Sequence, residues 1–118
     1  MSEVKRVFIP EPIHGDGIAQ LRGEGIECVV PWESGDDPGA AWQQHAADIH
    51  GVVVRLFEIN AARLRQAVQL QAVAKHGVGI DNIDCDESTR RGIPVLTIGT
   101  ANSTAVAAHA LGLSLIHI

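Results

Sequence analysis

An unbroken apolar run near the middle of the chain restricts the fold more than any other stretch. Val52, Val53 and Val54 follow one another without a polar residue, between Gly51 and Arg55. A strand with one wet face alternates apolar and polar residues, whereas a strand covered on both faces is apolar throughout. The run therefore predicts a central strand of a parallel sheet that is covered by helices on both faces.

Strand-like and helix-like segments alternate along the whole chain. The predicted strands are residues 4–9, 26–30, 51–55, 70–76 and 94–97. Helical stretches with an apolar face lie between them, and a last one begins at Asn102 or Ser103. This alternation, with its short connections, predicts the α/β class: a flavodoxin-like parallel five-stranded sheet, in the order 2-1-3-4-5, with helices on both faces.

Polar side chains mark the predicted starts of the helices. The side-chain oxygen of such a residue accepts a hydrogen bond from an amide of the first turn. The candidates are Asp16, Asp37, Asn60 and Asp84. After Asn60, the segment 61–69 places Leu64 and Val68 four residues apart, so both are predicted to face the core.

The helix after Asp84 has the fullest set of end signals. Glu87 follows Asp84 by three residues, as in a capping box with Asp in the first position. Arg90 and Arg91 fall in the last turn, where a cation is favourable, and Gly92 follows them. We therefore expect a short helix that ends at Gly92.

The composition suits one globular domain and argues against some partners. The 118 residues are 46% hydrophobic and carry a formal charge of -5, with scattered Lys and Arg, which argues against a nucleic-acid surface. Neither a membrane span nor room for a signal peptide before the first strand is visible. Cys28 and Cys85 have neither metal-type nor redox-type spacing, which favours a reduced cytoplasmic compartment.

Glycine-rich and polar residues follow three neighbouring strands of the predicted sheet. Arg55 ends the third strand, the turn 77–79 (Gly-Val-Gly) follows the fourth, and Asn102 follows the fifth. Ligands of open α/β sheets bind at the carboxyl ends of the strands, which lie about 4.8 Å apart. These residues are therefore predicted to converge on a small anionic acid.

Each of these residues also has an ordinary structural interpretation. Arg55 could form a surface ion pair, 77–79 could be a plain tight turn, and Asn102 could only cap its helix. The sequence contains neither a G-x-G-x-x-G nor a G-x-x-x-x-G-K-[ST] motif. Its six histidines lack metal-type spacing, so no metal is predicted.

Three motifs in fixed order resemble the D-isomer-specific 2-hydroxyacid dehydrogenases, and most closely their phosphoglycerate dehydrogenase branch. They are K-H-G-V-G-I-D-N-I-D at 75–84, T-R-R-G-I-P-V at 89–95 and A-N-S-T-A-V-A-A-H-A-L at 101–111. The resemblance is close over residues 72–113 and loose over the rest of the chain. It implies NAD-dependent oxidation of a 2-hydroxy acid to a 2-oxo acid, with 3-phosphoglycerate among the candidates.

The resemblance also implies a domain plan and a set of site residues. Residues 1–100 would form the substrate domain, and 101–118 the start of a helix that leads into an NAD-binding Rossmann domain. The full-length protein would be a homodimer. The implied substrate contacts are Arg55, Leu56, Gly77, Val78, Gly79 and Asn102, and the implied cofactor contacts are Val78 and Val106. Ala108 stands where the family usually has glutamate.

The family's catalytic Arg, Glu and His, and its glycine-rich NAD loop, would lie beyond residue 118. We therefore expect no catalytic residue in this fragment and no activity from it alone. Residues 113–118 (L-S-L-I-H-I) match a reading frame of a transposase adapter used in sequencing libraries, which suggests a frame that ran into adapter sequence. The alternative is a stand-alone flavodoxin-like module that binds a small acid without catalysis.

Overall fold

The computed structural model describes residues 4–12, 15–76 and 81–98. Within them, five strands form one sheet. These strands are β1 (Arg6–Phe8), β2 (Glu27–Val29), β3 (Gly51–Val54), β4 (Ala72–His76) and β5 (Val95–Ile98). All neighbouring strands are parallel, and their order is β2-β1-β3-β4-β5. The predicted class, strand number and strand order are confirmed.

Helices connect the strands in the described part of the chain. They are α1 (Gly15–Gly23), α2 (Pro38–His45), α3 (Ala61–Gln66) and α4 (Cys85–Arg90), with short 3-10 turns at Pro31–Glu33 and Ala46–Asp48. None of them is long and apolar enough to cross a membrane. The predicted last helix and the domain boundary near residue 100 lie outside the described residues.

The core has one half on each face of the sheet, and β3 contributes to both. Val52 and Val54 pack with Trp42 of α2 and Leu64 of α3, whereas Val53 belongs to the cluster on the opposite face. That second cluster includes Ile18 and Leu21 of α1. All three valines of β3 are fully buried. The prediction drawn from the apolar run is therefore confirmed.

Three of the predicted helix starts are confirmed. Oδ2 of Asp37 accepts from the amide of Ala40 at 2.9 Å, and Oδ1 of Asn60 accepts from the amide of Arg63 at 2.9 Å. Asp84 caps α4 through a 3.0 Å bond from the amide of Glu87. The equivalent prediction for Asp16 is wrong, because α1 already begins at Gly15.

Only one of the two hydrogen bonds of a capping box is present at the start of α4. In a complete box the side chain of Glu87 would return to the amide of Asp84. That amide instead donates to the carbonyl oxygen of Ile59 at 2.9 Å, and Glu87 pairs with Arg90 at 3.5 Å. A contact with another loop thus replaces the local one.

The prediction that Val68 faces the core is wrong. α3 ends at Gln66, because Ala67 leaves the helical conformation with φ -88° and ψ 73°. Beyond that point the helical repeat no longer applies, so Val68 is 66% exposed while Ala67 and Leu70 are buried. Leu64, inside the helix, is buried as predicted.

Candidate functional site

The carboxyl ends of β3 and β4 meet at one edge of the sheet, which we call the carboxyl edge. Val54, the last residue of β3, is in register with Lys75 of β4. Arg55 follows directly, and the side-chain Nζ of Lys75 donates to the carbonyl oxygen of Arg55. Lys75 is only 4% exposed, and its ammonium group lies against this strand end. The predicted meeting of these two strand ends is confirmed.

Only part of the predicted site falls within the described residues. Arg55 and Leu56 are both exposed at the carboxyl edge, Leu56 to 78%. The other predicted contacts, Gly77, Val78, Gly79, Asn102 and Val106, lie outside the described residues. Their roles therefore remain predictions.

A carboxylate from another loop lies on the backbone of residues 55–57, which we call the 55–57 turn. Oε1 of Glu11 accepts from the amides of Arg55 at 2.7 Å, Leu56 at 2.9 Å and Phe57 at 3.1 Å. Oε2 accepts from the amide of Leu56 at 2.8 Å. Successive amides that point at one anion form a backbone nest. In this structure the nest already holds a carboxylate of the protein itself.

Sequence analysis missed Glu11, which lies 44 to 46 residues before its partners. The 2-1-3 strand order contained a signal, because it makes β1 and β3 neighbours, with Phe8 in register with Val52. Residues just beyond two neighbouring parallel strands share the carboxyl edge. An acidic residue shortly after β1 could therefore have been considered for this site.

The side chain of Phe57 anchors the turn in the core. Its ring lies 5.9 Å from Phe8 and 6.3 Å from Trp42, measured between centroids. The guanidinium of Arg63 lies 4.3 Å from the same centroid, within cation–π range. Phe57 is half-buried against the core, and Leu56 beside it lies on the outer surface.

A second loop, after β4, is tied to the loop that begins with the 55–57 turn. Nδ2 of Asn82 donates to the carbonyl oxygens of Phe57 at 2.8 Å and Arg55 at 3.3 Å. The amide of Ile59 donates to the carbonyl oxygen of Asn82 at 2.7 Å, and Ile59 forms a parallel bridge with Ile83. Residues 55–59 and the described residues 82–83 of the second loop therefore lie directly against each other.

Acidic and basic side chains lie in different parts of the carboxyl edge. Beside the two loops lies a cleft of about 240 Å³, whose lining includes Glu58, Asp81 and Asp84. Three carboxylates make this cleft unsuitable for a small anion. A second cleft, of about 280 Å³ beyond β2, contains Asp36 and Asp37. At the ends of β3 and β4 the described cations are Arg55, which is exposed, and Lys75, which is buried against the carbonyl oxygen of Arg55.

Among the residues that the structure describes, no three His, Cys, Asp or Glu side chains are grouped so as to hold a metal ion. The two cysteines, Cys28 and Cys85, are free thiols.

The fold is an open, all-parallel α/β domain whose carboxyl edge includes the loops after β3 and β4. The chain belongs to the D-isomer specific 2-hydroxyacid dehydrogenases: the family's catalytic-domain model matches residues 7–111. Membership of this dehydrogenase family agrees with the resemblance seen in the sequence.

Two curated relatives are similar to this chain in sequence, and a solved structure is similar to it in fold. The chain is 44% identical over 110 residues to D-3-phosphoglycerate dehydrogenase of Mycobacterium leprae, covering 91% of this chain and 21% of that protein. It is 36% identical over 111 residues to glyoxylate reductase of Pyrococcus furiosus, covering 93% and 33%. A fold match covers 91% of this chain and 36% of NAD-dependent formate dehydrogenase from Staphylococcus aureus in complex with NAD, with a TM-score of 0.65 and 22% identity.

The chain spans about a fifth to a third of the length of the curated relatives that it matches.

Proposed function

We propose that this chain is the substrate-binding part of an NAD-dependent D-2-hydroxyacid dehydrogenase, which interconverts a 2-hydroxy acid and a 2-oxo acid. The observation that supports this most is the buried Lys75 at the end of β4, in contact with the backbone of Arg55. Lys75 is a cation on the strand that leads into residues 77–79, where the resemblance implies the substrate carboxylate. Backbone amides of Gly77, Val78 and Gly79 would hold that carboxylate, and Asn102 would face the ligand.

3-Phosphoglycerate is our first candidate substrate, and glyoxylate is the second. A D-3-phosphoglycerate dehydrogenase and a glyoxylate reductase are both among the relatives, the former at the higher identity of 44%. Arg55 is exposed at the carboxyl edge, where its guanidinium could pair with a phosphate. A substrate without a phosphate would not form this ion pair with Arg55.

NAD would be bound chiefly outside this chain. NAD supplies a hydride acceptor or donor when bound. The described loops do not match a dinucleotide-binding turn, which needs glycines between a strand and a helix. The loop after β1 contains Pro10 and Pro12, and the nest after β3 holds Glu11. Val78 and Val106 are the residues that we expect to touch the cofactor, and we derive no step through it.

The domain plan and surroundings are part of the same proposal. Residues 1–100 would be the substrate domain, and 101–118 would lead toward a Rossmann domain. The whole protein would be a cytoplasmic homodimer with no nucleic-acid or membrane partner. The 118-residue chain alone would be inactive, because hydride transfer requires the cofactor to be held against the substrate.

Recovery of the complete coding sequence allows a direct test. The purified protein should oxidise NADH when given the 2-oxo form of 3-phosphoglycerate or glyoxylate, and the 118-residue chain should not. Turnover with neither acid would contradict the proposed substrates, and turnover by the 118-residue chain would contradict its inactivity. If only binding of an acid is found for every form, the chain is a binding module, which is the alternative.

A further inference from the structure

We propose that Glu11 is a positioning residue of this site: its carboxylate sets the backbone of the 55–57 turn and thereby the direction in which Arg55 and Leu56 face the ligand. The part of this inference that concerns substrate rests on the proposed function. The part that concerns the turn rests on the contacts alone.

The contact is too complete to be an incidental surface pair. Both oxygens of Glu11 are used, and three successive amides donate to them at 2.7 to 3.1 Å. Hydrogen bonds to an ionised acceptor are stronger than those between neutral groups. Amides that have passed the end of a strand have lost their sheet partners and need others. Glu11 provides one acceptor group for all three.

Glu11 is itself held in place by the chain around it. Pro10 and Pro12 flank it and fix the backbone on both sides, and Pro10 is buried. Just before them, the amide of Ile9 donates to the carbonyl oxygen of Val29 at 2.9 Å, which fixes the end of β1. The carboxylate therefore reaches the turn from a rigid support. The backbone share of the conformational entropy cost of this contact is therefore reduced.

Both backbone groups of Arg55, the amide and the carbonyl, form hydrogen bonds with side chains. Its amide donates to Glu11 on one side, and its carbonyl oxygen accepts from Lys75 and Asn82 on the other. Opposite charges thus hold the two ends of a single residue. This arrangement fixes the backbone dihedrals of Arg55, and hence the direction in which its side chain leaves the carboxyl edge.

Glu11 is unsuited to contact an acidic ligand itself. Its oxygens already accept from the three amides, and its charge would repel a carboxylate or phosphate. Its effect on such a ligand would pass through the turn. Removal of Glu11 is therefore expected to keep Arg55 and Leu56 in the site but to change the direction in which they face the ligand.

The turn can be tested in the 118-residue chain by amide hydrogen exchange measured with NMR. In Glu11→Ala, exchange at residues 55–57 should accelerate at least about tenfold, because each loses a charged acceptor. Sodium acetate should slow it again by refilling the nest, whereas sodium chloride at equal ionic strength should not. Glu58→Gln is the matched control, since it removes the same charge directly beside the 55–57 turn, and the side chain of Glu58 contacts Asn60 rather than these amides.

Exchange at the three amides that stays within about twofold of the wild-type rate would overturn the proposal. Should Glu11→Ala not fold, Glu11→Gln keeps the side-chain shape and removes the charge. The amides of residues 55–57 should then exchange faster in Glu11→Gln than in the wild type. Unchanged exchange rates would again contradict the positioning role of Glu11.

The substrate part is tested in the complete enzyme. Glu11→Gln should raise KM for the 2-oxo acid about tenfold and change kcat by less than about threefold, because binding geometry is altered while the reacting groups are not. Glu11→Asp should have a KM between those of Glu11→Gln and the wild type, and Glu58→Gln should change neither constant. A fall in kcat with unchanged KM would refute the positioning role. Absence of turnover in the wild type would refute the proposed function instead, and the exchange experiment would still decide the role of Glu11.

Discussion

The guanidinium of Arg91 closes the end of α3, where its Nη2 donates to the carbonyl oxygen of Ala67 at 2.9 Å. Its Nη1 donates to the carbonyl oxygen of Leu64 in the same turn. The last carbonyls of a helix have no donors within the helix, and a cation is favourable beside them. The sequence predicted that Arg91 would stabilise the end of its own helix, and the structure adds that it caps a neighbouring one.

Replacing Arg91 by Ala should lower the free energy of unfolding by about 1–3 kcal/mol, because two half-buried carbonyl oxygens lose a charged donor. Urea denaturation followed by circular dichroism measures this. Arg90→Ala is the control: its side chain is 73% exposed and pairs with Glu87, so we expect a loss below about 0.5 kcal/mol. Similar losses in the two variants would contradict the capping role.

Trp42 should be the most sensitive position of the core. It is fully buried, its ring meets Phe8 edge-on at 5.3 Å, and its Nε1 donates to Gln66 at 3.0 Å. Trp42→Ala should cost about 3–5 kcal/mol, a large share of the stability of a domain this size. Trp32→Ala, at a half-buried position with one bond to the carbonyl oxygen of Ile9, should cost clearly less in the same urea titration. The reverse order would show that the core is not centred on Trp42.

Asn82 should control how firmly the two loops of the site are joined. Asn82→Ala removes the donors to the carbonyl oxygens of Phe57 and Arg55, and should cost about 1–2 kcal/mol. The loss should be accompanied by NMR shift changes at the amide of Ile59. Asp81→Ala, which changes the neighbouring exposed residue, should leave the NMR shift of the Ile59 amide unchanged. No shift at Ile59 in Asn82→Ala would mean that the loops are joined by other contacts.

Cys28 should react slowly and make stability fall at alkaline pH. Burial raises the pKa of its thiol above the ordinary value of 9.0; nearby Arg22 acts in the opposite sense, and Glu33 and Glu27 reinforce the rise. Because the folded pKa is raised, the stabilisation is fully present below the unfolded pKa and is lost as the pH rises through the folded pKa.

In a Cys85→Ser chain, alkylation of Cys28 by iodoacetamide near pH 9 should therefore be slower in the folded protein than in the same chain unfolded by urea. Cys28→Ala should lose less stability than wild type when urea titrations at pH 8 and pH 10 are compared. Equal alkylation rates in the folded and unfolded chains would contradict the raised pKa.

The features that could be predicted from the sequence are those that depend on local pattern. The apolar run at β3 indicated a doubly covered strand, and the polar residues Asp37, Asn60 and Asp84 marked helix starts. All three caps bind an amide only three residues away. Periodicity failed for Val68, because it cannot show where a helix stops.

The contacts that shape the candidate site could not be predicted in this way. Glu11 meets Leu56 across 45 residues, and Arg91 meets Ala67 across 24. Each depends on which strands or helices become neighbours and on the path of the intervening loops. For Glu11, the strand order narrowed the choice of loop without identifying the residue. Its exact hydrogen-bond partners required the three-dimensional structure.

The bridge between Ile59 and Ile83 gives the carboxyl edge a mechanical property. It is an isolated parallel bridge between the loop that follows β3 and the loop that follows β4, and both residues are buried. The loops on either side of the bridge cannot swing apart without breaking it. A displacement imposed on one loop is therefore expected to move the other with it.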